Sequence, residues 1–158
     1  MVSERQDLRS QVVELAEEAI DRADLFLVDV VVRGRKGSMV VEVFVDGDDA
    51  VGLDDLASIS RSLGFVLETG DLIRGKYHLN VSSPGGERSL VVPRQYGKHV
   101  GREIEIKLLS SDDGEDSSVF DGELVSRSDT DIQIRLKTGT ERAFTYDEIK
   151  QARIRLPW

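Results

Sequence analysis

The sequence predicts an α+β fold in which an N-terminal α-β-β-α-β two-layer domain is followed by a small all-β barrel. Three observations carry that reading. Two amphipathic helical periodicities flank a pair of valine-rich runs, and a strand-like alternation comes after them. Beyond Val92-Pro93 the helical periodicity does not return and only short alternations follow.

The first helix is expected over residues 4–23. Leu8, Val12, Leu15, Ala16, Ala19 and Ala23 recur at helical spacing with charged residues between them, which puts the apolar side chains on one stripe. Residues 25–33 and 38–46 are rich in the β-branched valine that suits a pleated surface. Gly34-Arg35-Lys36-Gly37 separates them and suits a hairpin turn. Leu53, Leu56, Ile59 or Ser60, Leu63 and Leu67 return to helical spacing. Gly52 stands at the N-cap, and Asp54 and Asp55 occupy the first turn, where carboxylates favour the helix dipole. This second helix is expected to end near Thr69-Gly70. A strand over residues 76–81 completes the domain, with both helices covering one face of a three-stranded sheet.

The second half reads differently. Pro93-Arg94-Gln95-Tyr96-Gly97 suits a short helical turn. Ile104, Ile106 and Leu108, then Ile132, Ile134 and Leu136, then Ile154 and Leu156 each alternate with polar residues. With strands at residues 119–127 and 142–146 the count is five in a short span, the number found in a barrel of the SH3, Sm or OB kind. The polar turn over residues 110–118, with four acidic residues, reads as a solvated loop. Trp158 ends the sequence, and packing is the expected state for an indole.

At 158 residues the chain holds one ordinary domain or two small ones. It has no cysteine, which excludes a disulfide framework, a thiolate zinc site and a cysteine nucleophile. No apolar run reaches the roughly 20 residues needed to cross a bilayer, and the polar start lacks the plan of a signal peptide, so a cytoplasmic location is expected. The net charge of −9 argues against a protein that coats nucleic acid by counterion release and favours a basic protein partner. The acidity is concentrated early: residues 1–90 carry 10 Lys and Arg against 17 Asp and Glu, and residues 91–158 carry 11 against 13.

Several catalytic patterns come close and fail. Residues 70–77 resemble a P-loop, but Tyr77 replaces the hydroxyl residue that holds magnesium. A helix also precedes the segment and a strand follows it, the reverse of what a phosphate cradle needs. The acidic group Asp46, Asp48, Asp49, Asp54 and Asp55 invites a calcium loop. Ala50, Val51 and Ala57 then fall where ligands or the turn glycine belong. His78 and His99 have no second histidine or cysteine at ligand spacing, and no nucleophile elbow occurs. The expectation is a binding protein with no catalytic residue, cofactor or metal.

The most particular stretch runs from Tyr77 to Leu90. Tyr77, Leu79 and Val81 alternate with His78 and Asn80. Ser83-Pro84-Gly85-Gly86 then reads as a type II turn, because proline presets φ and removes a donor while glycine accepts positive φ. Such a turn either joins two domains or presents backbone NH groups and hydroxyls to a partner. The run Val81-Ser82-Ser83-Pro84-Gly85-Gly86-Glu87-Arg88-Ser89-Leu90, between an α-β-β-α-β half and an all-β half, resembles the RimP family of bacterial ribosome maturation factors. Gly52-Leu53-Asp54-Asp55-Leu56, followed by Ile59-Ser60-Arg61-Ser62-Leu63, is similar to that family's second-helix segment. The spacing between the two motifs also agrees, so the resemblance extends over essentially the whole chain. Two departures stand out. Gly86-Glu87-Arg88-Ser89-Leu90 replaces a large apolar residue followed by aspartate, arginine, proline and leucine, which should loosen the loop. Gly52 stands where a hydroxyl residue is usual.

The resemblance implies domains at residues 1–90 and 91–158, the second an Sm-like or SH3-like barrel. It also implies a non-catalytic factor that binds the immature small (30S) ribosomal subunit and promotes its assembly, without a small-molecule substrate or membrane and as a monomer. The expected partners are a basic ribosomal protein and, as a further candidate, rRNA. Ser82, Ser83, Pro84, Gly85 and Arg88 are expected at the partner surface or the domain junction. Arg135 with Lys137, and Arg153 with Arg155, are candidate basic strips for phosphates, although basic residues on an outer strand face are commonly just solvated. The alternative is a general Sm-like RNA-binding regulator.

Overall fold

The computed structural model describes residues 4–84, 89–109 and 118–155. The expected site residues Gly85 and Arg88, most of the acidic turn, and Leu156 and Trp158 lie outside them. The chain divides into two compact units, Met1–Pro84 and Gly85–Trp158, and is mixed α+β with one sheet in each.

The first unit runs α1 (Glu4–Ala19), β1 (Leu25–Arg33), β2 (Met39–Gly47), α2 (Leu53–Thr69) and β3 (Tyr77–Ser82). Helix α1 buries Val12 and Ala16 fully and stops four residues before the sequence reading expects. Its C-terminal end carries Glu17 and Glu18 and no basic residue, an arrangement the helix dipole disfavours. The next residues are also tied elsewhere: the Arg22 guanidinium donates to Asp24 and to Asp55 of α2, so the chain turns into β1.

Strands β1 and β2 pair antiparallel, with a bulge between Leu27 and Asp29. Arg9 of α1 secures that bulge. Its Nε donates to the Val30 carbonyl at 2.8 Å, and a terminal nitrogen donates to the Asp29 carboxylate at 3.0 Å. Strand β3 lies beside β2 in parallel, from Met39 opposite Tyr77 to Phe44 opposite Ser82. Parallel neighbours need a crossover, and α2 is that crossover. It buries Leu56, Ile59, Leu63 and Leu67 against Val30, Val32, Val41, Val43 and Val45 in one core that also holds Val12 and Ala16 of α1. Gly52 has no side chain with which to cap α2. The return half of a capping box remains, with the Gly52 N–H donating to the Asp55 carboxylate at 3.3 Å.

In the second unit a 3₁₀ segment, Pro93–His99, precedes β4 (Glu103–Leu108), β5 (Val119–Arg127), β6 (Asp131–Leu136), β7 (Glu141–Thr145) and β8 (Ile149–Ile154). They form one antiparallel sheet in the order β7-β6-β5-β4-β8, over a core of Ile104, Ile106, Leu124, Ile132, Ile134 and Phe144, all fully buried. Among the described residues no ladder joins β7 to β8, so the expected barrel is not closed. The free edge of β8 is taken up locally: the Leu90 N–H donates to the Ala152 carbonyl at 2.8 Å and Gln151 donates to the Ser89 hydroxyl at 2.9 Å. Strand β5 bends closely over β6 at Gly122, where a Cβ would stand 2.4 Å from the Arg135 carbonyl oxygen.

Candidate functional site

The strand-end segment singled out in the sequence begins on an edge. Ser82 is the last residue of β3 and shares a row with Phe44 of β2 and Asp29 of β1, on the face of the sheet away from the helices. Ser82 and Pro84 are half-buried and Ser83 is exposed, so the Ser83 hydroxyl is the one accessible to a partner. Close by in sequence along β2, Asp46 is buried, and its carboxylate accepts the Gly47 N–H at 2.8 Å.

The two basic strips are less available than their alternation suggests. Arg135 on β6 stands between carboxylates of both neighbouring strands, 3.5 Å from Glu123 and 3.3 Å from Glu141. Arg155 lies 3.0 Å from Glu105 and 3.2 Å from Asp121. The hydrogen bond to Glu105, and then the Asp121 charge, hold its guanidinium protonated above the usual range. Arg153 is exposed and registers directly opposite Glu105. Lys137 is exposed in the turn after β6 rather than on the strand. A phosphate arriving at Arg135 or Arg155 would therefore have to displace internal ion pairs.

Elsewhere the fold brings together residues that the sequence keeps far apart. Strands β2 and β3 start side by side, so the loops entering them, residues 34–38 and 70–76, are neighbours. They touch through glycines. A Cβ on Gly75 would stand 3.1 Å from the Gly37 nitrogen, 3.2 Å from its Cα and 3.9 Å from Lys36 Cγ. Positive φ at Gly34, Gly37 and Gly75 makes these sharp turns possible, and the Ser38 N–H closes the first by donating to the Arg35 carbonyl at 2.8 Å. Arg35, Lys36, Arg74 and Lys76 are all exposed on this pair of loops. Arg35, Lys36 and Arg74 line a groove of about 920 Å³ that also holds Asp7 and Asp71, and Lys76 and Glu68 line a second of about 720 Å³. The sequence reading took the first loop as a hairpin turn and the second as a failed P-loop. Parallel β2–β3 pairing is the signal that would have joined them.

A third groove, of about 510 Å³, lies in the second unit between Leu90, Tyr96, Tyr146 and Ile149. The two tyrosine rings are 5.3 Å apart, and the Tyr146 hydroxyl donates to the Ser128 carbonyl at 2.7 Å. Burial, reinforced by Tyr146, pushes the Tyr96 phenol far above its ordinary value, and burial raises Tyr146 as well. Both rings stay neutral near pH 7, which makes this wall apolar rather than nucleophilic.

The near-miss P-loop follows the C-terminus of α2 and precedes β3, so no helix N-terminus faces it. Of the acidic group, Asp55 is engaged by Arg22 and by the Gly52 N–H. Among the described residues no three His, Asp or Glu side chains are grouped to hold a metal ion, and no helix there is long and apolar enough to cross a membrane. Compared with known protein families, residues 15–87 match the model described as the RimP N-terminal domain. That span contains both the Leu-Asp-Asp helix start and the Ser-Ser-Pro-Gly strand end.

Proposed function

The chain belongs to the RimP family of ribosome maturation factors, and from this premise we propose that it binds the immature small (30S) ribosomal subunit and promotes its assembly without catalysis. The observation that carries the reading is the domain match over residues 15–87, which includes the crossover unit β2-α2-β3 and the segment leaving it. Charge supports a basic protein as one partner. Glu14, Glu17 and Glu18 are exposed on the last turns of α1 and Asp21 is exposed just past its end, where carboxylates work against the helix dipole. A folding role does not account for carboxylates there, whereas an electrostatic surface for a cationic protein does.

Residues 1–90 and 91–158 act as the two working domains in this reading, in the cytoplasm, as a monomer. The second is an Sm-like domain whose sheet is open among the described residues, a reading supported by the order of its strands, in which the first lies between the second and the fifth. Ser82, Ser83 and Pro84, with Gly85 and Arg88, serve at the partner surface or as the hinge. The alternative, a general Sm-like RNA-binding regulator working through the second domain, loses support because Arg135 and Arg155 are held by carboxylates. Deleting the gene and profiling ribosomes on sucrose gradients tests the proposal. Accumulation of immature small subunits is expected, and normal levels of mature small subunits in both slow and fast growth would refute it.

A further inference from the structure

The cations of the first unit are unevenly committed. Arg9 is engaged by Asp29, Arg22 by Asp24 and Asp55, and Arg33 by Glu42 at 3.0 Å. Arg35, Lys36, Arg74 and Lys76 make no ion pair with any described residue, and the glycine contact between Gly37 and Gly75 holds their two loops against each other. Asp7, Asp71 and Glu68 line the adjoining grooves without neutralising the four by direct pairing. In a unit that is acidic overall, four adjacent unpaired cations form a local field of opposite sign.

We propose that this loop pair, Arg35 and Lys36 on one side and Arg74 and Lys76 on the other, is a binding site for the phosphate backbone of RNA. The absence of any exposed large hydrophobic residue on the two loops favours RNA over an acidic protein. Protein interfaces draw their affinity from buried aromatic and aliphatic side chains. The exposed large hydrophobic residues of this chain, among them Leu53, Phe65 and Val91, all lie outside the two loops. Leu8, Met39, Leu72 and Ile73 in the groove wall are half-buried or buried, so arginine, lysine and glycine predominate on the exposed loop surface, a composition that suits phosphates, which position a nucleic acid without reading its bases. The choice of RNA as the polyanion also rests on the ribosome-directed reading above. The site itself rests on the loop geometry.

The full-length protein is titrated against a short, unstructured, fluorescein-labelled RNA, with anisotropy recorded from about 50 to about 200 mM KCl. Four phosphate contacts at about 0.7 each give a log–log slope near −2.8 and roughly a fifty-fold weakening over that range. Replacing Lys36→Ala and Arg74→Ala together should halve the slope to about −1.4 and leave only about a seven-fold weakening. Arg135→Ala, which removes an internally paired cation, should leave the slope unchanged. Far-UV circular dichroism confirms that each variant is folded. No RNA binding by the unaltered protein, or an unchanged slope in the double variant, overturns the assignment. So does equal affinity for polyglutamate that the double variant also loses, since the ligand would then be an acidic polypeptide. RNA affinity is read without ribosomes, so failure here leaves subunit binding open, and failure of subunit binding leaves this result standing.

Discussion

Replacing Gly75 by alanine tests whether the two basic loops are held together by backbone contact. Gly75 has φ +81, and an added Cβ would meet the nitrogen of Gly37 at 3.1 Å and its Cα at 3.2 Å. Neither neighbour is a side chain that can rotate away. An L-residue in left-handed conformation costs about 1–2 kcal/mol, and forcing a packed contact apart costs about 1–3 more, so Gly75→Ala should lose roughly 2–5 kcal/mol. Gly37→Ala is the internal control. Its φ of +93 carries the same conformational cost, but a Cβ there has nothing within 4 Å, so the expected loss is about 1–2 kcal/mol. Urea denaturation of the full chain, followed by far-UV circular dichroism, measures both. With a slope of about 1–3 kcal/mol per molar urea, the difference is a clear displacement of the midpoint. Equal losses for the two variants, or no loss for Gly75→Ala, would show that the loops are not in contact and would remove the basis for treating their four cations as one surface.

Gly122→Ala places a methyl group 2.4 Å from the Arg135 carbonyl and 2.6 Å from an Ile134 methyl, so the β5–β6 ladder must open. A loss of about 1–3 kcal/mol is expected by thermal or urea unfolding, and a neutral result would contradict the close approach of the two strands. Tyr96 gives a pH signature. Its phenol is neutral in both states below about pH 10, so stability there is independent of this group. Above that value the unfolded chain releases the proton first and stability falls by up to about 1.4 kcal/mol per pH unit until the raised folded value is reached. Tyr96→Phe should therefore unfold like the parent at pH 7 and resist alkaline unfolding better, and identical alkaline curves would refute the burial of that phenol. Leu63→Ala, at a fully buried position of α2, should cost about 2–5 kcal/mol in the same unfolding assay, whereas an insensitive protein would place α2 off the sheet.

The element order was readable because each element carries its own period. The leucines of α2 and the valines of β1 and β2 declare their faces without reference to distant residues. What went unread depended on distant partners. The end of α1 was set too late because Ala23 keeps the helical phase, while the residue that turns the chain is Arg22, anchored on Asp55 in another helix. Arg135 on β6 and Arg155 just past β8 are both exposed. Their neutralisation was invisible because Glu123, Glu141, Glu105 and Asp121 become neighbours only through strand register. The nearness of the two basic loops is hidden in the sequence for the same reason, since nothing local indicates that β3 returns parallel to β2. Tyr96 and Tyr146 come together across the fold in the same way.

Co-sedimentation of the purified protein with separated ribosomal subunits bears most directly on the assignment to small-subunit maturation. The protein is layered with immature small subunits, mature small subunits and large subunits in parallel gradients and detected in each fraction. The expected result is co-migration with the small subunit, stronger for the immature particle and absent from the large one. Migration at the top of every gradient, or equal association with large and small subunits, would contradict it.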